Sequence, residues 1–135
     1  MKQTLIALVL GLFVMNGYAG TQDKLIDPYE ESIGMLPDVT VTKPKVKKAL
    51  IAAAYKLGWT VEEQKDDLLQ ATLLVRSHRL VINIQYDTTK LIAKYKESDN
   101  LNYEIDKDGA KIHPSYHRWV KNLFKETRGL LVMYQ

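Results

Sequence analysis

The chain has 135 residues, enough for one domain with a buried core, and it contains no cysteine. The lack of cysteine excludes disulfides, thiolate metal sites, cysteine catalysis and the acylated cysteine of a bacterial lipoprotein. The formal charge of +3 comes from 19 Lys and Arg against 16 Asp and Glu. These charges are spread along the sequence, unlike the clustered basic residues of a nucleic-acid-binding protein.

The first twenty residues, MKQTLIALVLGLFVMNGYAG, have the layout of a secretory signal peptide. One Lys precedes the apolar run Leu5–Met15, and Gly17 and Ala19 have the spacing of a cleavage site. We therefore predict a signal peptide over residues 1–19 and an exported protein, which is periplasmic in a Gram-negative cell. A transmembrane helix needs about 20 apolar residues, so we expect no transmembrane segment after cleavage. Retention as an N-terminal anchor is the alternative.

Residues 20–43 differ in composition from the rest of the chain, because they are rich in Asp, Glu, Pro and Thr. Prolines prevent a long helix, and such composition rarely packs. We predict an acidic extended arm that is flexible or lies on the domain surface, with a tether to a partner as the functional alternative. Residues 44–135 are predicted to form a single domain.

The domain is predicted to begin and end with a helix. In Pro44–Leu57 the apolar residues recur at helical spacing, and its lysines are interpreted as a solvated face rather than an anion site. A second helix is expected over about Ser115–Arg128 because of its broad apolar stripe, with Gly129 as its stop. The apolar residues Leu130–Tyr134 are expected to be a further strand or a docked end, with a partner-binding segment as the third alternative.

Between the helices, apolar and polar residues alternate in runs that predict strands. The first run is Trp59–Gln64, and three more lie within Gln70–Lys96. Short polar breaks separate the runs, so the strands are expected to form an antiparallel meander. The expected fold class is α+β in two layers, a four-stranded meander sheet with two helices packed on one face, in the order α-β-β-β-β-α.

Alternation also predicts which side chains lie on the second face of this sheet. They form a polar, cationic surface, to which Leu74 and Ile92 add apolar area. One interpretation is the solvated side of a two-layer protein, and the other is a shallow site for an anionic or carbohydrate ligand. The candidate ligand-binding residues are Arg76, His78, Asn83, Gln85, Lys94 and Lys96.

Sequence signals for catalysis or metal binding are weak. His113 and His117 have the i, i+4 spacing of one helical face, but they do not form the H-E-x-x-H pattern of metalloproteases. His113 is expected to form a hydrogen bond at the helix entrance, and His117 is expected to be exposed. We predict no catalytic residue, no metal site and no cofactor.

The closing part of the chain contains S-D-N-L-N-Y and then I-H-P-S-Y-H-R-W, and Leu57-Gly58-Trp59 follows the first helix. This pattern resembles a family of small, uncharacterised envelope proteins of proteobacteria, many of them predicted lipoproteins. The resemblance implies an α-β-β-β-β-α domain and no established activity, and membrane anchoring does not carry over because the acylated cysteine is missing. The matching positions line a site or hold the last strand against the second helix, and we favour the second because buried polar groups need partners. They are Ser98, Asn100, Leu101, Tyr103, Ile112, His113, Tyr116 and Trp119.

Together these features favour a non-enzymatic periplasmic binding module. Its expected partner is an envelope protein, a glycan or an anionic lipid headgroup, and not nucleic acid. A small metal-dependent or hydrolytic enzyme around His113 and His117 is one alternative, and a structural subunit of an envelope assembly is another.

Overall fold

A computed structural model describes residues 21–65 and 67–134, so the predicted signal peptide lies outside the described residues. The described residues form eight strands and two helices. In chain order these are β1 (Asp23–Lys24), β2 (Tyr29–Ser32), α1 (Lys43–Lys56), β3 (Trp59–Lys65), β4 (Leu68–Val75), β5 (His78–Tyr86), β6 (Lys90–Asp99), β7 (Glu104–Asp106), β8 (Gly109–Ile112) and α2 (Ser115–Met133).

The main sheet has five strands in the order β2-β6-β5-β4-β3, and all neighbours are antiparallel. The four strands from β3 to β6 form the predicted meander. The predicted strand number is wrong, because β2 from the N-terminal arm pairs with β6, with Tyr29 opposite Ala93. The sheet therefore has its edges at β2 and β3.

A second, three-stranded sheet was not predicted. It has the order β1-β8-β7, and β7 and β8 form a hairpin that is closed by Gly109 at φ +112°. The outer strand β1 comes from the arm, where Asp23 lies opposite Ile112. Residues 20–43 thus supply one strand to each sheet and are joined to the domain by backbone hydrogen bonds.

Helix α1 matches its predicted range to within one residue at each end. The hydroxyl oxygen of Thr42 accepts a hydrogen bond from the Lys45 amide (3.4 Å) at the N-terminus, and Pro44 lies in the first turn. After the helix, Gly58 has φ +93°, a backbone conformation that is unfavourable for residues with a side chain.

Helix α2 is longer than predicted, because it continues through Gly129 to Met133. A glycine within a helix costs only about 1 kcal/mol, and the buried Leu131 anchors the last turn against the core. Neither helix in the described part of the chain is long and apolar enough to cross a membrane.

The core lies between the main sheet and the two helices, which pack on the same sheet face as predicted. Alternation places the inward-facing residues correctly on the central strands: Leu73, Ile82, Ile84 and Ala93 are all buried. The largest fully buried side chains include Trp59 at the start of β3, Tyr116 and Phe124 of α2, and Leu50 of α1. Neither helix packs on the opposite face of the main sheet.

Candidate functional site

The face of the main sheet that points away from the helices, called the open face below, carries mostly exposed or half-buried side chains, although Val81 in the middle of β5 is buried there. Its exposed side chains include Glu62, Leu74, Gln85 and Lys94. Leu74 retains 67% of its accessible surface, although it lies within a strand. Ile92, which is half-buried, adds a second apolar side chain to this face.

Four of the six predicted ligand-binding residues lie on the open face. Asn83 and Lys94 are directly opposite each other on β5 and β6, and Gln85 is opposite the half-buried Ile92. The ammonium group of Lys96 donates a hydrogen bond to the side chain of Gln70 on β4 (2.6 Å). Alternation therefore brought these four residues together, and ligand binding by them stays a prediction.

Arg76 and His78 do not lie on the open face. The β4–β5 connection is a two-residue turn in which Arg76 has φ +57°, and β5 already begins at His78. His78 therefore shares the helix-facing side with Leu80 and Ile82. Its ring lies 6.2 Å from that of Trp119 in α2, between centroids. The predicted side was wrong because residues 77–79 were taken as a loop, which separated His78 from the alternation of its strand.

The open face also carries a cation that the sequence analysis missed. Arg79 follows the parity of Asn83 and Gln85, and its guanidinium donates hydrogen bonds to Glu97 (2.7 Å) and Asp99 (3.2 Å) on β6. The hydrogen bond with Glu97 is the main reason why the pKa of Arg79 is raised. Because carboxylates accompany the cations, the open face is mixed in charge rather than cationic.

The polar residues of the closing motif gather where the end of β6, the β4–β5 turn and the start of α2 meet. The side-chain amide nitrogen of Asn100 donates to the Ser77 hydroxyl (2.6 Å). The backbone carbonyl oxygen of Asn100 lies 2.5 Å from Nδ1 of His78. Nδ1 of His113 accepts a hydrogen bond from the Ser115 amide (3.0 Å). The expected bond of His113 at the helix entrance is therefore confirmed. The Asn100 contacts join the end of β6 to the β4–β5 turn, and the backbone amide of His113 donates to the Leu101 carbonyl oxygen (2.8 Å). The interpretation that the motif residues hold the last strand against α2 stays a prediction.

The aromatic residues of the motif form a second group beside β6. Tyr103 stacks on Tyr95 with ring centroids 4.4 Å apart, and Tyr95 lies edge-on to Tyr116 at 6.1 Å. The hydroxyl of Tyr95 is 2.7 Å from that of Ser98. The hydroxyl of Tyr116, in contrast, is buried without a hydrogen-bond partner among the described residues, and burial raises its pKa.

His117 is half-buried, so its predicted exposure is wrong. Its Nε2 accepts a hydrogen bond from the Ile26 amide in the arm (3.1 Å), and its ring lies edge-on to Tyr116 at 5.0 Å. Burial lowers the pKa of the His117 imidazole. The ring thus fastens the arm to α2 in its neutral form, since only an unprotonated nitrogen can accept this bond.

The two histidines of the proposed enzyme alternative therefore each use a ring nitrogen on a backbone amide. Residues 21–65 and 67–134 contain no group of three His, Cys, Asp or Glu that could hold a metal ion. Their geometry supports structural hydrogen bonds at the arm and at the helix entrance.

No family model, curated protein or solved structure matches this chain in comparisons with known proteins. The resemblance to the envelope family therefore stays an expectation. The function has to be inferred from the two surfaces of the molecule, the open face and the outer side of the helices.

Proposed function

We propose that this chain is an exported, non-enzymatic binding module that holds a protein partner of the cell envelope on its open face. The observation that carries the proposal is the exposed Leu74 directly beside the ion-paired Arg79 on the open face. Export is inferred from the pattern of residues 1–19.

The charge arrangement supports a protein rather than a small anion as the partner. Carboxylates lie beside the cations of this face, since Arg79 is paired with Glu97 and Asp99, and such mixed charge suits a protein surface better than a small anion. Protein interfaces have a different anatomy, an apolar centre with a polar rim. Leu74 lies directly opposite Arg79 in the β4–β5 register, so an exposed apolar side chain and a charged group are adjacent on this face.

Clefts large enough for a small ligand lie at the margin of the open face or outside it. Those of about 620 Å³ and 460 Å³ border α1 on the other side of the sheet. One of about 430 Å³ lies at the β2 edge, where Lys90 and Glu30 form an ion pair (3.8 Å). Small-molecule sites are usually concave, whereas protein partners bind flat surfaces of standard size. A glycan or a lipid headgroup on the open face therefore has less support than a protein.

Substitution of Leu74 tests the proposal, and Ile105 offers a matched control because its exposure on β7 is 69%, close to the 67% of Leu74. A photo-crosslinking residue is placed at Gln85 of the full chain, and crosslinked products are analysed from intact cells. We expect discrete protein adducts that weaken by about tenfold in Leu74→Asp, the loss typical of an interface hot spot, and persist in Ile105→Asp. Equal adducts in both variants, or none in the parent, contradict the proposal.

A further inference from the structure

The positive charge of the protein is concentrated on its helices. Helices α1 and α2 contain nine of the 19 Lys and Arg, but only one of the 16 Asp and Glu, Glu126. The rest of the chain therefore carries ten cations against fifteen anions. The net charge of +3 is therefore the sum of a cationic helix layer and an acidic remainder.

Several of these cations point away from the sheet, on what we call the outer helix surface. On α2 the buried side chains Tyr116, Val120, Leu123, Phe124 and Thr127 face the core, so helical periodicity turns the opposite side outward. Exposed cations lie on that outward side at helical spacing. They are Arg118, Lys121 and Lys125 of α2, and Lys48 has the corresponding position on α1.

Carboxylates neutralise the cations at the margins of the helix layer more than those on the outer helix surface. Lys43 and Lys47 pair with Asp67 and Glu63, both at 2.5 Å, on the β3–β4 side. Lys56 pairs with Glu126 (2.9 Å) between the helices, and Arg128 pairs with Glu31 in β2. Among the described residues, no carboxylate forms an ion pair with Lys48, Arg118, Lys121 or Lys125.

Apolar groups lie between these cations. Pro44, Ile51, Ala52 and Tyr134 line the cleft of about 460 Å³ together with the lysine stems of α1. The ammonium group of Lys48 lies 4.7 Å from the centre of the Tyr134 ring. Nearby, Tyr55 of α1 and Met133 at the end of α2 retain 58% and 73% of their accessible surface.

We propose that the outer helix surface docks on an anionic lipid bilayer. Lysine and arginine bind lipid phosphates, while tyrosine and apolar side chains enter the boundary between headgroups and acyl chains. A nucleic acid would match the charge but offers no acyl layer in which Tyr55 and Met133 could be buried. Because neither described helix can span a membrane, the helices lie on the bilayer rather than cross it.

This inference goes beyond the proposed function and does not depend on it. The outer helix surface and the open face lie on opposite sides of the main sheet, so both can be occupied at once. Docking through the helices would direct the open face away from the bilayer, where a protein partner can reach it.

The test measures binding of the full chain to vesicles of phosphatidylcholine with 30% phosphatidylglycerol, and to vesicles of phosphatidylcholine alone. One variant combines Lys48→Glu, Lys121→Glu and Lys125→Glu. A matched control combines Arg76→Glu, Lys94→Glu and Lys107→Glu, which changes the net charge equally at exposed sites outside the helices. Residues 1–20 are the same in all three proteins, so membrane binding that they contribute is common to the comparison.

Each cation close to an anionic bilayer strengthens binding by roughly fivefold, so three together account for about 100-fold. We expect the helix variant to bind anionic vesicles about 100-fold more weakly than the parent, and the control variant to stay within about fivefold. Equal losses in both variants, or equal binding to both vesicle types with no effect of the helix variant, overturn the proposal. Salt-sensitive binding to heparin or duplex DNA without binding to anionic vesicles also overturns it, in favour of a polyanion site.

A spin label measures the orientation directly, even if residues 1–20 dominate the affinity. The chain has no cysteine, so Tyr55→Cys and Leu74→Cys each provide a single labelling site. On anionic vesicles we expect the label at position 55 to become accessible to oxygen and protected from a water-soluble nickel complex, while the label at position 74 stays accessible to nickel. Protection at position 74 alone, or at neither position, refutes docking through the helices.

Discussion

The hydroxyl of Tyr116 tests the energetic cost of a buried polar group that forms no hydrogen bond. Its side chain is fully buried, and its hydroxyl has no hydrogen-bond partner among the described residues. A buried polar group without a partner costs about 1–3 kcal/mol, whereas the ring itself packs as phenylalanine would. We therefore expect Tyr116→Phe to raise the free energy of unfolding by about 1 kcal/mol. Urea unfolding, followed through the fluorescence of Trp59 and Trp119, measures this change.

Tyr95 supplies the matched control, because its hydroxyl lies 2.7 Å from that of Ser98. Tyr95→Phe removes a formed hydrogen bond and should lower the free energy of unfolding by about 0.5–1.5 kcal/mol. The two substitutions delete the same atom from neighbouring rings and are expected to have opposite signs. A loss of 1 kcal/mol or more in Tyr116→Phe would refute the reasoning, since the hydroxyl would then have a partner worth more than its burial costs.

Four further substitutions test local features of the fold by urea unfolding. A Cβ at Gly129 meets no atom within 4 Å, so Gly129→Ala should stabilise α2 by about 0.5–1 kcal/mol. Gly58 has φ +93°, so Gly58→Ala should destabilise the fold by about 1 kcal/mol or more. Equal effects of the two substitutions would contradict this. Thr42→Ala removes the N-terminal cap of α1 and should cost about 0.5–1 kcal/mol, and no loss would show that the 3.4 Å bond contributes nothing. Burial lowers the pKa of His117, so its contribution to stability is present above the unfolded-state pKa of about 6.5 and is lost as the pH falls below it. His117→Gln should remove that slope between pH 5 and 7.5, and an unchanged slope would assign it to other groups.

Much of the main sheet could be predicted because its central strands bury one face. Leu80, Ile82 and Ile84 must all face the helices, and this requirement fixes the parity of β5. The same parity placed Asn83 and Gln85 correctly on the open face. The error at His78 arose only from the assumed end of the strand, since a one-residue change in that boundary decides whether a side chain joins the alternation.

The strands from the arm could not be predicted in the same way. β1 and β2 contain two and four residues, too few to show a period, and their neighbours are acidic. Their pairing depends on contacts distant in sequence, such as Tyr29 stacked on Phe124 with centroids 6.1 Å apart. The hydroxyl of Tyr29 also donates to Glu31 (2.5 Å), and burial raises its pKa to about 12. Such contacts order a segment for which composition alone predicts no packed structure.

The outer helix surface was not predicted for a different reason, because the lysines of the first helix were interpreted as a solvated face and were not considered together with the cations of the second helix. Counted by element, the nine cations of α1 and α2 are visible in the sequence. Their positions relative to Tyr55 and Met133 require the antiparallel packing of the two helices. The salt bridge Lys56–Glu126 and the contact between Lys48 and Tyr134 define that packing.

The lysines of α1 do not stabilise the helix that carries them. Positive charge in the first turn opposes the helix dipole, and four lysines within six residues repel one another. Asp67 and Glu63 offset this repulsion for Lys43 and Lys47, but no described carboxylate pairs with Lys48. Lys48 interacts instead with the Tyr134 ring at the edge of an apolar cleft. An anionic surface placed over α1 would turn this unfavourable charge into a favourable interaction, so anionic vesicles should raise the thermal stability of the folded chain as well as bind it.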